Sequence, residues 1–283
     1  MKPELREHGN AVNPRVTLAP QYCADILDED HYDKTGEEVY IETIEQEELV
    51  DPFDEGLAPE AYWAEGWNLG YYMGYRSDTW WQDDVLCRMF PTRYRVNDFE
   101  LSRSFRRVLK LNADLQCFVR PFRITPAKDE LDQLHCYSRF KEVKPPLSRI
   151  FKWLRCRPAP IYELTVFHRE RGMIAFTLIE IGHNASYALR TAWTPDEKRR
   201  SLGTFTFLKA VEYARSRNFE HHYVGPTILA DPAFSYKLRF PACELYDWEA
   251  NDWVASDSKS AKAMFAAPLS RRRWDPETED WAE

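Results

Sequence analysis

Between residues 161 and 224 the apolar positions change period, and each change predicts an element. Ile161 to His168, Met173 to Ile181 and Tyr187 to Trp193 are short apolar or alternating runs that read as strands, with a turn at Arg171-Gly172 between the first two. From Gly203 to Arg217 the period becomes helical. Leu202, Phe205, Leu208, Val211 and Ala214 recur at every third position and form one apolar stripe. Glu220 to Val224 returns to the strand pattern. Upstream, Trp63, Trp67, Tyr71, Tyr72 and Tyr75 predict an amphipathic helix ending near Gly70 or Gly74. Trp80-Trp81 through Phe90-Pro91 reads as loop and strand, and Arg93 to Phe99 alternates like a strand. Ser102 stands in N-cap position before a helix carrying Phe105, Val108 and Leu109. Asp129 to Phe140 is helical after a Thr125-Pro126 start.

These patterns divide the chain. Residues 1–58 are polar, acidic and punctuated by proline, and read as a partly disordered extension, with Val39-Tyr40-Ile41 as a candidate edge strand. Residues 59–157 form a first α+β unit. Its end is marked by the prolines between Lys141 and Pro160, with a short helix expected from Leu147 to Leu154. Residues 158–256 form the second unit, and 257–283 a polar tail. Three strands, a helix opened by a glycine turn and a further strand is the order expected of a Gcn5-related acyltransferase core. The expected fold class is therefore α/β with that core and a smaller N-terminal α+β part.

Composition narrows the classes. Hydrophobic content of 44% and an aromatic share of 14% supply a core and leave rings for pockets. A net charge of -8 argues against a protein that coats nucleic acid over its whole surface. The charge is uneven, though. Acids dominate from Asp25 to Glu55, whereas Arg93, Arg95, Arg103, Arg106, Arg107 and Lys110 follow closely. That asymmetry points to a polyanion partner, against the plainer reading of a solvated helix face. The six cysteines form no C-x-x-C and offer neither a metal site nor a disulfide framework. The first residues, MKPELREHGN, lack an apolar signal region and no run approaches the length of a membrane span. Reduced thiols, a cytoplasmic location, no membrane partner and no metal or cofactor are the expectations.

Chemistry concentrates between Ser201 and Trp248. A Ser201-Leu202-Gly203 turn opens a helix, whose first N–H groups attract anions and carbonyl oxygens, and Gly203 lets backbone approach a ligand. With Thr204 these residues are candidate donors to an acyl carbonyl or oxyanion. His222 and Tyr223, at the following strand, are candidate proton relays, and Tyr236-Lys237 a candidate donor-binding pair. Glu180 ends an apolar strand, where a carboxylate is costly unless paired.

The same segments, taken together, resemble the arginyl-tRNA–protein transferases. The turn SLG, the strand His222-Tyr223-Val224-Gly225 and the Tyr236-Lys237 pair resemble that family's C-terminal half. Leu101 to Leu109, followed by Asn112-Ala113-Asp114-Leu115, resembles its SRSQRR…N-x-D-L segment, with Phe105 in place of Gln. His135 to Phe140 resembles its helix ending in LY-x-x-Y, and Trp193-Thr194-Pro195-Asp196 its YYDPD. The family's cysteine-rich N-terminal motif is missing: only Cys87 stands in the tract Asp78 to Pro91. That tract looks more like the WWSPDPR-type segment of the sister leucyl/phenylalanyl-tRNA–protein transferases.

The resemblance implies transfer of an amino acid, arginine by preference, from aminoacyl-tRNA to the N-terminal amine of a protein or peptide. On it, Arg103, Arg106 and Arg107 become tRNA contacts. Ser201, Leu202, Gly203, Thr204, Tyr236 and Lys237 hold the donor, and Glu180 its guanidinium. Two rivals remain, a CoA-dependent N-acetyltransferase and a non-catalytic relative that binds tRNA or peptide. Phe205 replaces the second small residue of a CoA pyrophosphate loop, Arg199-Arg200-Ser201-Leu202-Gly203-Thr204-Phe205, and weighs against the first.

Overall fold

The computed structural model of the chain describes residues 17–18, 59–69, 74–82, 85–141, 146–147, 160–229, 232–266, 273–275 and 280–282. The candidate strand at 39–41 and most of the expected helix at 147–154 lie outside them. The first elements are β1 (Thr17–Leu18), α1 (Pro59–Ala64), β2 (Asn68–Leu69), β3 (Gly74–Arg76), β4 (Thr79–Gln82) and β5 (Val85–Arg95). Then come α2 (Arg103–Leu111), β6 (Gln116–Pro121), α3 (Pro126–Phe140), β7 (Ile161–His168), β8 (Gly172–Ile181) and β9 (Ala185–Trp193). After α4 (Leu202–Ser216) follow β10 (His221–Ile228), β11 (Cys243–Asp247), β12 (Asp252–Ala255), α5 (Lys259–Ala266), β13 (Arg273–Asp275) and β14 (Asp280–Ala282).

The strands and helix expected between 161 and 224 form within a few residues of their expected limits. The helix expected to reach Gly70 stops at Ala64. Gly66 takes φ +83°, and a Cβ there would lie 2.8 Å from the Tyr246 ring, so the chain turns under that ring. The polar tail also differs from expectation. α5 packs Phe265 against Phe90, ring centroids 5.8 Å apart, and β13 pairs with β14.

Among the described residues nine strands form one sheet in the order β12-β11-β5-β10-β9-β8-β7-β6, with β4 paired to β5. β7, β8 and β9 run antiparallel, α4 crosses over, and β10 returns parallel to β9. This is the element order of the Gcn5-related core. The boundary expected near 157 does not divide the sheet: β6 pairs with β7, and β5 lies between β10 and β11, antiparallel to both.

Alternate residues of the central strands serve the two faces. Ala175 and Ile179 meet Leu202, Phe205 and Ala210 of α4, whose apolar stripe is buried as expected. Phe176 and Leu178 meet Leu131 of α3 on the other face. α3 is also tied down by charge. Lys128 Nζ lies 2.5 Å from the fully buried Glu163 carboxylate, which also accepts from Arg120 Nε at 2.6 Å. One turn later Arg190 grips the buried Asp132 with two bonds, 2.7 and 2.8 Å long. A helix of mixed polarity is thereby fixed on the sheet at two strands, β7 and β9.

Two outcomes follow from this burial. Lys128→Met removes the buried ammonium partner of the Glu163 carboxylate and leaves it Arg120 as its one cation, and is expected to cost up to about 3 kcal/mol. The double change Lys128→Met with Glu163→Leu removes both charges and is expected to recover most of that loss, measured by urea denaturation at neutral pH. Secondly, burial pushes the His222 imidazole down to about 4 and holds it neutral in the fold. The unfolded chain takes up that proton below about 6.5, so His222 lowers stability as pH falls from 6.5 toward 4, by about 2 kcal/mol at pH 5. Urea midpoints of the native chain and of His222→Gln, compared at pH 7 and 5, are expected to show the smaller drop in the variant.

Candidate functional site

β9 and β10 pair only from His221↔Ala185 to Val224↔Ala188. Both strands continue, to Trp193 and Ile228, but no longer with each other. The sequence at the parting is Gly225-Pro226, and proline has no N–H to give to a ladder. The pairing of β10 with β5 shifts register at the same place, between Val224 and Thr227. Beyond it Thr227 is tied to β5 by the buried contact of its hydroxyl with Thr92, 2.8 Å. The parallel pair therefore opens at its C-terminal end.

The start of α4 stands over this opening. Gly203 packs on Trp193, the last residue of β9: a Cβ at 203 would fall 2.9 Å from the indole. The glycine thus makes room for a side chain of the protein itself. Ser201 adopts the left-handed conformation, φ 52°, and its side chain caps no N–H of the helix. The first N–H groups of a helix have no partner within it, so Leu202, Gly203 and Thr204 present backbone donors at this end.

The turn is held from behind by residues whose role the sequence did not disclose. Asn112 Nδ2 donates to Arg200 O at 2.8 Å and to Val108 O at 2.9 Å. Arg200 bonds both oxygens of Asp114, 2.8 and 2.9 Å away, and its hydrogen bond and charge lower the Asp114 pKa. The Asn-x-Asp spacing at the end of α2 is therefore the brace of the Ser201 turn. The motif was visible in sequence, but its partner, Arg200, lies far along the chain.

Tyr236 and Lys237 come to the same opening. Lys237 is buried, and its ammonium donates to Pro226 O, the carbonyl at the parting of the strands. Two residues on, Arg239 Nη2 donates to Thr204 Oγ1 at 2.7 Å and joins this segment to the first turn of α4. From α3, the His135 ring lies 3.9 Å from that of Trp193. Burial and the nearby Arg190 hold His135 at about 4, neutral at pH 7. Residues 201–204 and 236–237, expected to act together, are brought together, with Arg239, His135 and Trp193 as additions.

His222 and Tyr223 lie at the closed base of the opening and face opposite sides of the sheet. His222 Nδ1 is 2.8 Å from Ser186 Oγ, and its buried Nε2 has no hydrogen-bond partner. Tyr223 belongs to a row of register neighbours crossing five strands: Glu180, Tyr187, Tyr223, Arg93 and Glu244. Arg93 donates to the Tyr223 hydroxyl at 3.2 Å and to Glu244 at 2.7 Å. Trp63 of α1 covers Tyr187 and Tyr223, with centroids 5.6 and 5.7 Å away. Burial raises the Tyr223 phenol pKa, against the pull of Arg93. Glu180, at the other end of the row, is 1% exposed and engaged within the protein.

Arg103, Arg106 and Arg107 are exposed on α2, away from Phe105, which points inward and stacks on Phe240 at 4.9 Å. Ser102 caps this helix as expected, accepting from Phe105 N at 3.3 Å. Arg106 donates to Leu101 O at 2.7 Å, and among the described residues none of the three arginines pairs with a carboxylate. Phe105, where the resemblance has Gln, thus joins α2 to the segment carrying Lys237. Among the described residues no helix is long and apolar enough to cross a membrane, and no cluster of three His, Cys, Asp or Glu side chains is placed to hold a metal.

Residues 126–247 match the family described as arginine-tRNA-protein transferase, C terminus. The match begins with α3 and ends with β11, the span that surrounds the opening. An aspartate/glutamate leucyltransferase of Xanthomonas campestris pv. campestris is 31% identical over 170 residues, 56% of this chain and 66% of that protein. One of Marinobacter nauticus is 31% identical over 159 residues, 54% of this chain and 66% of its own length. The chain thus spans just under two thirds of these relatives. Among solved structures, FemX aligns with a TM-score of 0.40 at 12% identity over 54% of this chain and 57% of its own. A GCN5-related N-acetyltransferase from Kribbella flavida aligns with a TM-score of 0.32 at 11% identity over 54% of each chain. The segment 126–247, with its braced SLG turn and its Tyr-Lys pair, is similar to the aminoacyl-tRNA–protein transferases.

Proposed function

We propose that this chain transfers an amino acid from aminoacyl-tRNA to the N-terminal amine of a protein or peptide. The observation that carries the reading is the opening between β9 and β10, with the uncapped first turn of α4 above it and Lys237 and Arg239 fixing its wall. In the reaction the amine nitrogen attacks the ester carbonyl of the donor. The C–N bond forms, the C–O bond to the terminal ribose breaks, and the proton lost by the amine ends on the ribose hydroxyl. The ester is already activated, so the work falls to positioning and to stabilising the developing oxyanion. The N–H groups of Leu202, Gly203 and Thr204 are the donors we assign to it. His222 suits proton transfer better than Tyr223, because it is neutral at pH 7 with Nε2 unpartnered, whereas the Tyr223 phenol is raised by burial and holds Arg93.

Leucine is the donor residue we favour, and a protein beginning with aspartate or glutamate the acceptor. The names of the relatives support this, and so does Glu180: a carboxylate 1% exposed and already engaged is a poor receptor for an incoming guanidinium. Arginine is the second reading, supported by the description of the matching family and by the C-terminal motifs.

Purified protein offered leucyl-, arginyl- and phenylalanyl-tRNA, with peptides beginning in Asp, Glu or Ala, is expected to transfer leucine to the acidic N-termini. Preferred transfer of arginine would establish the second reading, and tRNA binding without any transfer would leave a non-catalytic relative. The α2 arginines supply the phosphate contacts in this scheme. Replacing Arg103, Arg106 and Arg107 together by Ala is expected to weaken tRNA binding and to flatten its salt dependence by roughly 0.7 to 0.9 in slope for each phosphate no longer neutralised. The fold is expected to persist, since Phe105 is untouched. An unchanged slope moves the tRNA site elsewhere.

A further inference from the structure

Three rings beside the opening remain uncovered. Tyr137 keeps 60% of its surface in solvent, Tyr236 40% and Phe140 38%. Tyr137 and Phe140 lie on the last turn of α3, and Tyr236 in the segment that carries Lys237 and Arg239. Each side brings cations. Lys141 Nζ stands 5.7 Å from the Tyr137 centroid, and the Arg239 guanidinium 5.6 Å from that of Tyr236. The two sides meet through the start of α4: the Phe140 ring lies 6.2 Å from that of His135, which sits on Trp193 beneath Gly203, and Thr204 accepts from Arg239. Desolvation in the recess raises the Tyr236 phenol pKa, and Arg239 and Arg139 both pull against it.

The charges here differ in kind from those elsewhere on the sheet. Arg93, Arg120, Arg190 and Arg200 all face carboxylates. Among the described residues Arg139, Lys141 and Arg239 pair with none; the neighbours of Lys141 and Arg239 are rings, and in the case of Arg239 also the Thr204 hydroxyl. Exposed rings interleaved with uncompensated cations suit a partner that offers flat π-faces and negative charge together, which is single-stranded nucleic acid. An acidic peptide would answer the cations and leave the rings bare.

We infer that Tyr137, Phe140 and Tyr236, with Arg139, Lys141 and Arg239, form a stacking platform for the unpaired 3′-terminal nucleotides of the donor RNA. This rests on the reading that the donor is an aminoacyl-tRNA, and it places the terminal bases outside the opening. Arg239 links the platform directly to Thr204, so a ribose beyond the last stacked base comes to the first turn of α4, where the ester must lie. The platform recognises the absence of a second strand, whereas the α2 arginines contact phosphates of any RNA.

The test uses two uncharged RNA hairpins, one with a short single-stranded 3′ extension and one blunt-ended, and reads affinity by fluorescence anisotropy. The native chain is expected to favour the extended hairpin by roughly 10-fold or more. Tyr137→Ala and Tyr236→Ala are each expected to weaken that hairpin by roughly 5- to 100-fold and to leave the blunt one unchanged, while Tyr137→Trp keeps the preference. Both side chains are exposed, so the fold is not at stake. Equal affinity for the two hairpins, or variants that weaken both alike, would overturn the platform. So would variants that spare RNA and weaken an acidic peptide. Preference for the extension without amino-acid transfer from any charged tRNA would keep the platform and remove the transferase reading. Transfer at native rates by both variants would do the reverse.

Discussion

The site depends on the place where two parallel strands stop pairing. β9 and β10 share four register pairs and then part at Gly225-Pro226, where the ladder loses a donor. Such a break leaves polar backbone unsatisfied unless something else engages it. Here the Pro226 carbonyl accepts from Lys237, and Thr227 is anchored to β5 through Thr92. The opening is thus a built feature with its own substitutes for the missing ladder, and α4 is delivered to its rim by the crossover that links the two strands.

The second layer of the design is bracing. The Ser201 turn has no side-chain cap, which leaves its donors free for chemistry but also leaves it dependent on neighbours. Asn112 and Asp114 hold it through Arg200, Arg239 holds it through Thr204, and Trp193 fills the space that Gly203 leaves. Asn112 and Asp114 come from the end of α2, Arg239 from the segment after β10, and Trp193 from β9. A turn fixed from three directions keeps its N–H groups aimed without bonding to them, which is the condition for stabilising charge that appears only during reaction.

Much of the fold was legible because its period is clean. The apolar stripe of α4 and the runs of β7, β8 and β9 are buried where the sequence placed them, and Ser102 caps α2. The misread elements have physical reasons. Trp63, Trp67 and Tyr75 imitate a helical stripe, yet Gly66 needs a left-handed turn beneath Tyr246, a contact with a residue far away in sequence. β6, with its half-exposed edge position, carries too weak an alternation to be seen. At the site, the SLG turn and the Tyr-Lys pair stood out as local motifs. Asp132, Arg190, Arg200 and Arg239 did not, because an ion pair between distant residues leaves no local trace. Gly203 stood out as a turn glycine, whereas its packing on Trp193 left no local signal.

The position of β5 sets an order on how this protein is made. Its residues emerge early in synthesis, yet both of its central neighbours, β10 and β11, come much later: Arg93 meets Tyr223 across 130 residues and Glu244 across 151. Until then the apolar side chains of β5, among them Met89, Phe90 and Tyr94, have no native cover. Strand pairing over such separations is slow, and an uncovered strand edge is open to the wrong partner. The two sides of the sheet therefore complete each other only once β10 and β11 have been made, and the span 126–247 cannot close its own sheet between β10 and β11 without the strand that precedes it.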